Sequence, residues 1–273
     1  MKPSREEAAV FVPLLDRHDA VGVATLTLNS PSSRNALSMG MVEALSGALA
    51  AIAADPGVRV IVLAGEGPAF SSGHDLREIA AHRNDRDGGR ELYERLMRGC
   101  AQMMRAVVEL PKPVIAAIEG VATAAGCQLV AACDLAIAGD GARFATPGVN
   151  IGLFCSTPLV AIARTISRKH AMEMALTGEL YSAAEAERFG LVNRVVPAGQ
   201  ALAEARKLAA RLATRSAATL AIGKKTFFPQ LELNLADAYD LASRAMVENL
   251  LHPDADEGIG AFLEKRPPRW EGG

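Results

Sequence analysis

The segment GEGPAFSSGHDL, residues 65–76, joins a strand to a helix through a turn rich in glycine and serine. Residues 58–64 before it carry one charge in a run of aliphatic side chains, which is typical of a short buried strand. Asp75 falls at the expected start of the helix, where a carboxylate is stabilised by the helix dipole. Main-chain N–H groups at such a turn lack helical partners, so this segment is a candidate binding loop.

A second segment of the same kind, GVATAAGCQ, occupies residues 120–128 and also follows a strand-like run. Exposed N–H groups at two converging helix N-termini stabilise negative charge that develops on a carbonyl oxygen. Spacing alone does not separate this role from an ordinary structural turn, because glycine turns at helix starts are common.

Strand-like and helical segments alternate around these two loops. Strands are expected at residues 21–28, 58–64, 114–118 and 134–138, and helices at residues 38–54 and 91–109. Ser38 is the expected N-cap of the first helix. No GxGxxG or GxxxxGK[ST] motif accompanies this succession, which disfavours nucleotide-phosphate hydrolysis and predicts an α/β fold of another kind.

The last part of the chain changes character. Ser182 and Glu185 fit a capping box, and Gly190 is a plausible helix stop before a strand at residues 191–196. Helical periodicity then marks residues 201–212, 235–251 and 254–265. We therefore expect a core over residues 1–198 and a C-terminal helical subdomain over residues 199–273.

Composition excludes several classes of partner. The chain has 273 residues, 29 Lys and Arg against 31 Asp and Glu, and a net charge of −2, which favours neither nucleic acid nor an anionic membrane. It has no apolar run of about 18 residues and no apolar signal after the initial MKPSREE, so we expect a cytoplasmic protein without a membrane partner. The four cysteines form no CxxC pair and no zinc-ligand spacing, which predicts buried, reduced thiols and no metal.

Several motifs carry a resemblance to a known family. Residues 70–76 resemble the AFxAGxDL loop of the crotonase, or enoyl-CoA hydratase/isomerase, family, and residues 113–128 are similar to its KPVIAAVxG and GGGxEL segments. Residues 34–38 and 177–197 match further family motifs, so the similarity runs in order from about residue 21 to residue 265. Residues 120–129 and 144–158 most resemble the enoyl-CoA hydratase domain-containing protein 3 subgroup.

The resemblance implies a fold and a ligand. The fold is that of crotonase and ClpP, a spiral of ββα units with a C-terminal helical region that assembles a homotrimer or a hexamer. The ligand is acyl-CoA, bound as substrate in fatty acid metabolism without a covalently attached cofactor. The N–H groups of His74 and Ala125 are implied to form an oxyanion hole for the thioester carbonyl.

The resemblance also implies coenzyme A contacts, which carry over to Arg34, Ala36, Ser72, Arg77, Phe262 and Lys265. The first two lie at the nucleotide end, the Ser72 carbonyl receives the adenine amino group, and Arg77 approaches phosphate. The pair on the C-terminal helix reaches the coenzyme A of a neighbouring subunit. For each basic residue a solvated surface charge is the alternative.

Two positions depart from the family pattern. Hydratases carry glutamate where this chain has Gln128 and Gly148, and neither residue exchanges a proton near neutral pH. Each general acid or base contributes about 10²–10⁴-fold, so we expect weak hydration. The His74 imidazole, the Cys155 thiol and Ser156 are alternative participants, and a side chain turned away from the ligand or a buried thiol is the competing interpretation.

The sequence leaves several functions open. One is a lyase or isomerase of the enoyl-CoA hydratase type with weak hydration, and another is a non-catalytic acyl-CoA-binding scaffold. Decarboxylating family members share the SGHD sequence but carry tyrosine at the position of Cys155, and a thioesterase is a further alternative. RNA binding is disfavoured, because residues 80–87 mix both charge signs where a lysine-rich helix is needed.

Overall fold

A computed structural model describes residues 12–271 of the chain. The initial MKPSREE, which enters the targeting prediction, lies outside the described residues. The strands are β1 (Leu15–Ala20), β2 (Val23–Leu28), β3 (Val60–Gly65), β4 (Ala69–Ser71), β5 (Val114–Ile118), β6 (Val121–Thr123), β7 (Leu135–Gly139), β8 (Arg143–Ala145), β9 (Tyr181–Ser182) and β10 (Arg194–Val196).

The α-helices alternate with these strands and then continue alone to the end of the fold. They are α1 (Met39–Ala54), α2 (Leu76–Ala81), α3 (Arg90–Glu109), α4 (Ala125–Ala132), α5 (Ser156–Thr165), α6 (Arg168–Thr177), α7 (Ala183–Phe189), α8 (Ala201–Ala213), α9 (Ala217–Gln230), α10 (Leu235–Leu250) and α11 (Pro253–Leu263).

Two sheets share the strands between them. The larger sheet has the order β1-β2-β3-β5-β7-β10, in which only the β1–β2 pair is antiparallel. The smaller sheet has the order β4-β6-β8-β9, with β8–β9 antiparallel. The pairs β3–β4, β5–β6 and β7–β8 each give one strand to each sheet before the chain enters a helix. This repetition is the predicted spiral of ββα units.

Local sequence signals explain several element boundaries. The Ser38 hydroxyl accepts the Met41 N–H at 3.2 Å, as expected of an N-cap, and Met41, Leu45 and Ile52 bury one face of α1. The predicted capping box of α7 is present, and Gly190 ends that helix in the left-handed region with φ of 90°. Sequence patterns did not predict β1 or α9.

The first helix after residue 199 packs on the larger sheet. Ala201, Ala205 and Ala209 of α8 form a small buried cluster with Val60 and Ile115, because alanine allows a helix to approach a sheet closely. The helix α8, which follows the predicted domain boundary, thus adds to the buried core. The boundary between residues 198 and 199 stays a prediction.

A buried ion pair attaches α9 to the core. Lys224 Nζ lies 2.6 Å from Asp134 Oδ2 and also donates to the carbonyl oxygens of Val107 and Lys112. Asp134 Oδ2 accepts the Val114 N–H at 2.7 Å. The ammonium and the carboxylate thus have several partners, which offset the cost of removing both charges from water.

The faces of α9, α10 and α11 expose many large apolar side chains. They include Phe227, Leu235, Tyr239, Met246 and Phe262. In residues 12–271, none of the helices combines the length and apolar character that a membrane crossing requires. Large exposed apolar patches of this kind mark interaction surfaces.

Candidate functional site

The two glycine-containing loops of the sequence meet in the structure. Gly73 has φ of +85°, and a Cβ atom at this position would lie 3.1 Å from the Ala125 nitrogen and 2.9 Å from the Ala124 Cβ. Only glycine fits here, since both the backbone conformation and the contact exclude a side chain. The residue before His74 is therefore packed directly against the start of α4.

Two main-chain donors are left free at this contact. Within residues 12–271, the N–H groups of His74 and Ala125 donate no hydrogen bond. Ala125 is the first residue of α4, where an N–H has no partner inside the helix. A main-chain N–H without a protein partner can donate a hydrogen bond to a ligand.

The start of α4 is held in an unusual conformation. Ala124 has φ of 49° and ψ of −120°, and its N–H donates to the Ala145 carbonyl at 2.9 Å. A Cβ atom at Gly126 would lie 2.2 Å from the Ser71 carbonyl oxygen, so α4 touches the end of β4. Strained backbone of this kind persists only where surrounding contacts fix it, which is frequent at functional sites.

Residues 34–37 are clamped onto the first loop. The Leu37 N–H donates to the Gly73 carbonyl at 2.7 Å, and the Ser72 N–H donates to the Arg34 carbonyl at 3.0 Å. Asn35 is fully buried, and its amide donates to the main-chain oxygens of residues 66 and 69. The structure thus brings Arg34, exposed, and the buried residue 36 next to the loop that carries His74.

The imidazole of His74 is turned toward the beginning of α1. Its Nδ1 lies 3.2 Å from the Leu37 carbonyl oxygen, which only accepts, so Nδ1 carries the proton and Nε2 carries the lone pair. Nε2 is buried and has no hydrogen-bond partner among the described residues. Burial lowers the pKa of His74, and the Leu37 hydrogen bond and Glu78 oppose this with smaller effects. The lowered pKa keeps the ring neutral at pH 7.

Two buried side-chain oxygen atoms, one on α4 and one just after β8, also lack partners among the described residues. They are Oε1 of Gln128, a residue 4% exposed in the first turns of α4, and Oγ1 of Thr146, which is 0% exposed after β8. Buried polar atoms normally have a protein or water partner, so such atoms mark space for a polar ligand or for water. Sequence patterns did not single out Thr146 or Ala124.

Position 148 is closed to any side chain. A Cβ atom at Gly148 would lie 2.7 Å from the Leu153 carbonyl oxygen and 2.8 Å from the Cys155 sulfur. The Leu153 N–H also donates to the Gly148 carbonyl at 2.9 Å, which holds residues 148–153 in a tight turn. Burial raises the pKa of the Cys155 thiol, and the main-chain N–H of Gly148 lowers it by a smaller amount.

The remaining predicted coenzyme A residues lie at two places. The half-buried Ser72 presents a carbonyl that accepts the Thr123 hydroxyl at 3.2 Å, and Arg77 is exposed in the first turn of α2. The predicted helix cap is confirmed, because Asp75 accepts the Arg77 N–H at 2.8 Å. Phe262, 82% exposed, and Lys265 lie apart from these loops in sequence, on or just after α11, which packs on α9 and α10.

The described residues contain no cluster of three or more His, Cys, Asp or Glu side chains that could hold a metal ion. The four cysteines, residues 100, 127, 133 and 155, are free thiols. Burial raises the pKa of Cys100 to about 11 and, with a smaller effect of Cys155, that of Cys127 to about 12. These thiols are therefore protonated at neutral pH.

Known proteins match nearly the whole chain. The model of the enoyl-CoA hydratase/isomerase family matches residues 18–273. The rat enoyl-CoA hydratase domain-containing protein 3, mitochondrial, is 47% identical over 249 residues, covering 91% of this chain and 81% of the relative. The human protein of that name is 46% identical, with 91% and 80% covered. The resemblance to this subgroup is confirmed.

Solved structures agree. An enoyl-CoA hydratase of Mycobacterium smegmatis superposes with a TM-score of 0.90 at 48% identity, covering 95% of this chain and 99% of that one. The human enoyl-CoA hydratase domain-containing protein 3 gives a TM-score of 0.89 at 44% identity, covering 94% and 100%. The predicted crotonase fold is confirmed.

The expectation of a cytoplasmic protein is wrong in the light of these relatives. The rat, frog and human proteins at 46–47% identity are named as mitochondrial. The prediction rested on the lack of an apolar segment, whereas mitochondrial transit peptides are amphipathic and rich in arginine and serine. A search for apolar runs therefore does not detect a mitochondrial transit peptide.

Proposed function

The chain belongs to the enoyl-CoA hydratase/isomerase family, and from this premise we propose that it binds acyl-CoA thioesters in an oxyanion hole. The donors are the main-chain N–H groups of His74 and Ala125. A thioester oxygen accepting both hydrogen bonds gains negative charge when the acyl group forms an enolate. Each such donor contributes about 10²–10³-fold to the rate of a reaction that develops this charge.

The observation that carries the proposal is the contact at Gly73. A Cβ atom there would lie 3.1 Å from the Ala125 nitrogen, so the loop that carries His74 packs directly against the start of α4. The clamp of residues 34–37 and the strained Ala124 fix this arrangement before any ligand binds. Donors fixed in advance need no reorganisation as charge develops, which is the physical basis of an oxyanion hole.

Coenzyme A contacts follow from the same loops. We assign the nucleotide end to Arg34 and residue 36, the adenine amino group to the Ser72 carbonyl, and a phosphate to Arg77. The Ser72 carbonyl already accepts the Thr123 hydroxyl, and its second lone pair is available for another donor. Arg34 and Arg77 are exposed, as groups that meet a charged, solvated ligand need to be.

Assembly completes the proposed site. Phe262 and Lys265 are exposed, and the apolar surface of α9, α10 and α11 is large. We propose a homotrimer, alone or paired into a hexamer, in which these two residues contact the coenzyme A of a neighbouring subunit. The apolar character of the surface supports this assignment, because obligate interfaces resemble a core cut in half.

We propose that hydration of the enoyl group is at most a minor reaction of this protein. Gln128 and Gly148 occupy the positions that we assign to the hydratase glutamates, and neither can transfer a proton. Enolate formation by loss of CO₂ needs no base, so acyl-CoA decarboxylation is the second candidate. The side chains at positions 128 and 148 favour it over hydration, because neither of them can transfer a proton.

Calorimetric titration with butyryl-CoA and crotonyl-CoA tests acyl-CoA binding. We expect saturable binding by the native protein and a loss of at least tenfold in affinity for Gly73→Ala, whose new methyl group enters the space beside the Ala125 N–H. Gly141→Ala is the matched control, because a Cβ atom there meets nothing within 4 Å. No binding at millimolar ester, a free energy of about −4 kcal/mol, would refute the coenzyme A assignment.

A panel of coenzyme A esters with product detection by mass identifies the reaction. Loss of CO₂, release of free coenzyme A, gain of water and no change correspond to a decarboxylase, a thioesterase, a hydratase and a binding scaffold. The isomerase hypothesis predicts a shifted double bond at unchanged mass, which chromatography separates. Gain of water at a rate typical of hydratases would contradict the assignment of weak hydration.

A further inference from the structure

The chain turns back along α11 after that helix ends, and residues 266–271 form a strap on it. The guanidinium of Arg266 donates to both carboxylate oxygens of Glu257, at 2.6 and 2.8 Å. The Arg269 N–H donates to the same carboxylate at 2.6 Å. Glu257 therefore accepts three hydrogen bonds from the strap.

These contacts keep Glu257 ionised. The Arg266 hydrogen bonds, followed by that of the Arg269 N–H, lower the pKa of Glu257 to about 2. A carboxylate that binds both arms of a guanidinium is held in orientation as well as in distance. The start of the strap is thus fixed to one side of α11.

The far end of the strap contacts α11 and the core. The Glu271 N–H donates at 2.8 Å to Asp254, which is 2% exposed in the first turn of α11. The ring of Trp270 packs on Gly258, where a Cβ atom would lie 3.3 Å from a ring carbon. Trp270 Nε1 donates at 2.8 Å to the carbonyl of Thr214, the residue after α8. Trp270 therefore connects α11 to the helix that packs on the larger sheet.

The main chain at this anchor is itself held by the larger sheet. Arg59, directly before β3, donates from its guanidinium to the Arg215 carbonyl at 2.5 Å. The Arg59 N–H donates to the Gly22 carbonyl at 2.7 Å. The strap thus ties α11 to a part of the fold that is fixed by the sheet.

Lys265, between α11 and the strap, has an uncommon backbone conformation. Its φ of 56° lies in the left-handed region, which glycine adopts readily and a lysine does not. The Lys265 N–H donates to the Phe262 carbonyl at 3.2 Å, and the Arg266 N–H donates to the Ala261 carbonyl at 3.0 Å. These two bonds form a Schellman motif with lysine at the position that glycine usually occupies. Such a conformation persists where neighbouring contacts fix it, and the strap supplies those contacts directly after Lys265.

We infer that Glu257 and Trp270 are positioning residues, which hold Lys265 so that its ammonium binds a phosphate of the coenzyme A in a neighbouring subunit. The inference rests on the proposed function, which places Lys265 at that coenzyme A. The phosphates are the anionic groups of coenzyme A, so an ammonium is attracted to them. The lysine side chain is flexible, and a backbone fixed in advance lowers the entropy cost of ordering it on the ligand.

Calorimetric titration of the full chain with butyryl-CoA tests the inference in variants that keep Lys265. Glu257→Gln removes the charge that the strap binds, and Trp270→Phe keeps an aromatic ring but removes the N–H. Lys265→Met removes the ammonium and should weaken binding about tenfold, the loss typical of one hydrogen bond to a charged group. We expect Glu257→Gln and Trp270→Phe each to weaken binding by at least about threefold, because they release the lysine without removing it.

A matched control and two further measurements separate positioning from a general loss of structure. Glu109→Gln breaks an exposed contact of the same kind, with Arg105 on α3, and leaves the affinity unchanged. On a Lys265→Met background, neither Glu257→Gln nor Trp270→Phe weakens binding further, because the group that they position is absent. Sodium chloride weakens binding less in these variants than in the native protein, because salt screens a contact that they lack. Light scattering gives the native oligomeric state for each variant.

Other outcomes overturn the inference. Native affinity in both Glu257→Gln and Trp270→Phe shows that the strap does not position Lys265, and an undiminished loss on the Lys265→Met background shows that it acts through another group. A changed oligomeric state shows that it acts on assembly instead. If Lys265→Met binds butyryl-CoA as tightly as the native protein, the inference fails while acyl-CoA binding stands. If the native protein does not bind butyryl-CoA, the proposed function fails and this inference fails with it.

Discussion

Gly148→Ala tests how tightly the structure excludes a side chain at position 148. The new methyl group would lie 2.7 Å from the Leu153 carbonyl oxygen and 2.8 Å from the Cys155 sulfur. The carbonyl is main chain, and moving it away would strain the turn that the 2.9 Å bond from the Leu153 N–H to the Gly148 carbonyl closes. Overpacking costs about 1–3 kcal/mol, and a weakened hydrogen bond adds about 0.5–1.5 kcal/mol.

We therefore expect Gly148→Ala to destabilise the protein by roughly 2–4 kcal/mol. Thermal unfolding followed by circular dichroism at fixed protein concentration measures the effect as a decrease in Tm. Gly141→Ala is the control, with an expected change within about 0.5 kcal/mol, because a Cβ atom there meets nothing within 4 Å.

A second variant separates the two clashes. Adding Cys155→Ala to Gly148→Ala removes the contact with the sulfur but leaves the one with the Leu153 carbonyl. The double-mutant cycle should give a favourable coupling of about 1 kcal/mol and incomplete recovery. A Gly148→Ala variant as stable as the native protein would show that residues 148–155 rearrange easily, and the steric reasoning would be refuted.

Three further predictions concern strain, the buried ion pair and hydration. Ala124→Gly should raise the stability by about 1 kcal/mol, since relief of the positive φ exceeds the entropy cost of glycine, and a decrease in Tm would contradict the strain. Lys224→Met should cost about 3–5 kcal/mol at pH 7, because Asp134 is left buried and charged, while the exposed Lys225→Met costs little. Burial already raises the pKa of Asp134, and loss of the ammonium raises it further. Protonation of Asp134 between pH 7 and pH 5 should therefore restore part of the stability that Lys224→Met loses. A loss of stability that is larger at pH 5 than at pH 7 would refute this. Crotonyl-CoA hydration, followed by loss of enoyl absorbance, should be at least about 10³-fold slower than in a family member with both glutamates, and a rate within tenfold would show that water is activated elsewhere.

The sequence predicted elements whose signals are local. Ser38 and the apolar period up to Ile52 predicted α1, and the Ser182–Glu185 pair predicted α7, because caps and periodicity depend only on near neighbours. β1 was not predicted, since its polar segment LDRHDA is exposed at the sheet edge and lacks an apolar face. The helix α9 was not predicted either, because Gly223 and Pro229, which disfavour helix interiors, obscure its pattern.

Some features of the candidate site follow from local sequence motifs, and others arise only from packing in the fold. Sequence motifs alone place Gly73, His74 and Ala125 in two loops, because a close backbone contact requires glycine at a fixed place. The positive φ of Ala124 and the contact of Gly148 with Cys155 are products of packing between segments distant in sequence. The resemblance to the family therefore identified the positions that depart from the hydratase pattern, and only the fold revealed which atom fills the space at position 148.

The central claim is that the N–H groups of His74 and Ala125 hold the thioester carbonyl, and vibrational spectroscopy of the bound ligand tests it most directly. Butyryl-CoA labelled with ¹³C at the carbonyl gives a C=O stretch that moves to lower frequency when two donors polarise the bond. We expect this shift in the native protein and in His74→Ala, which keeps the N–H, and its loss in His74→Pro, which removes it. A bound ester whose carbonyl absorbs as it does in water, in a folded native protein, would contradict the claim.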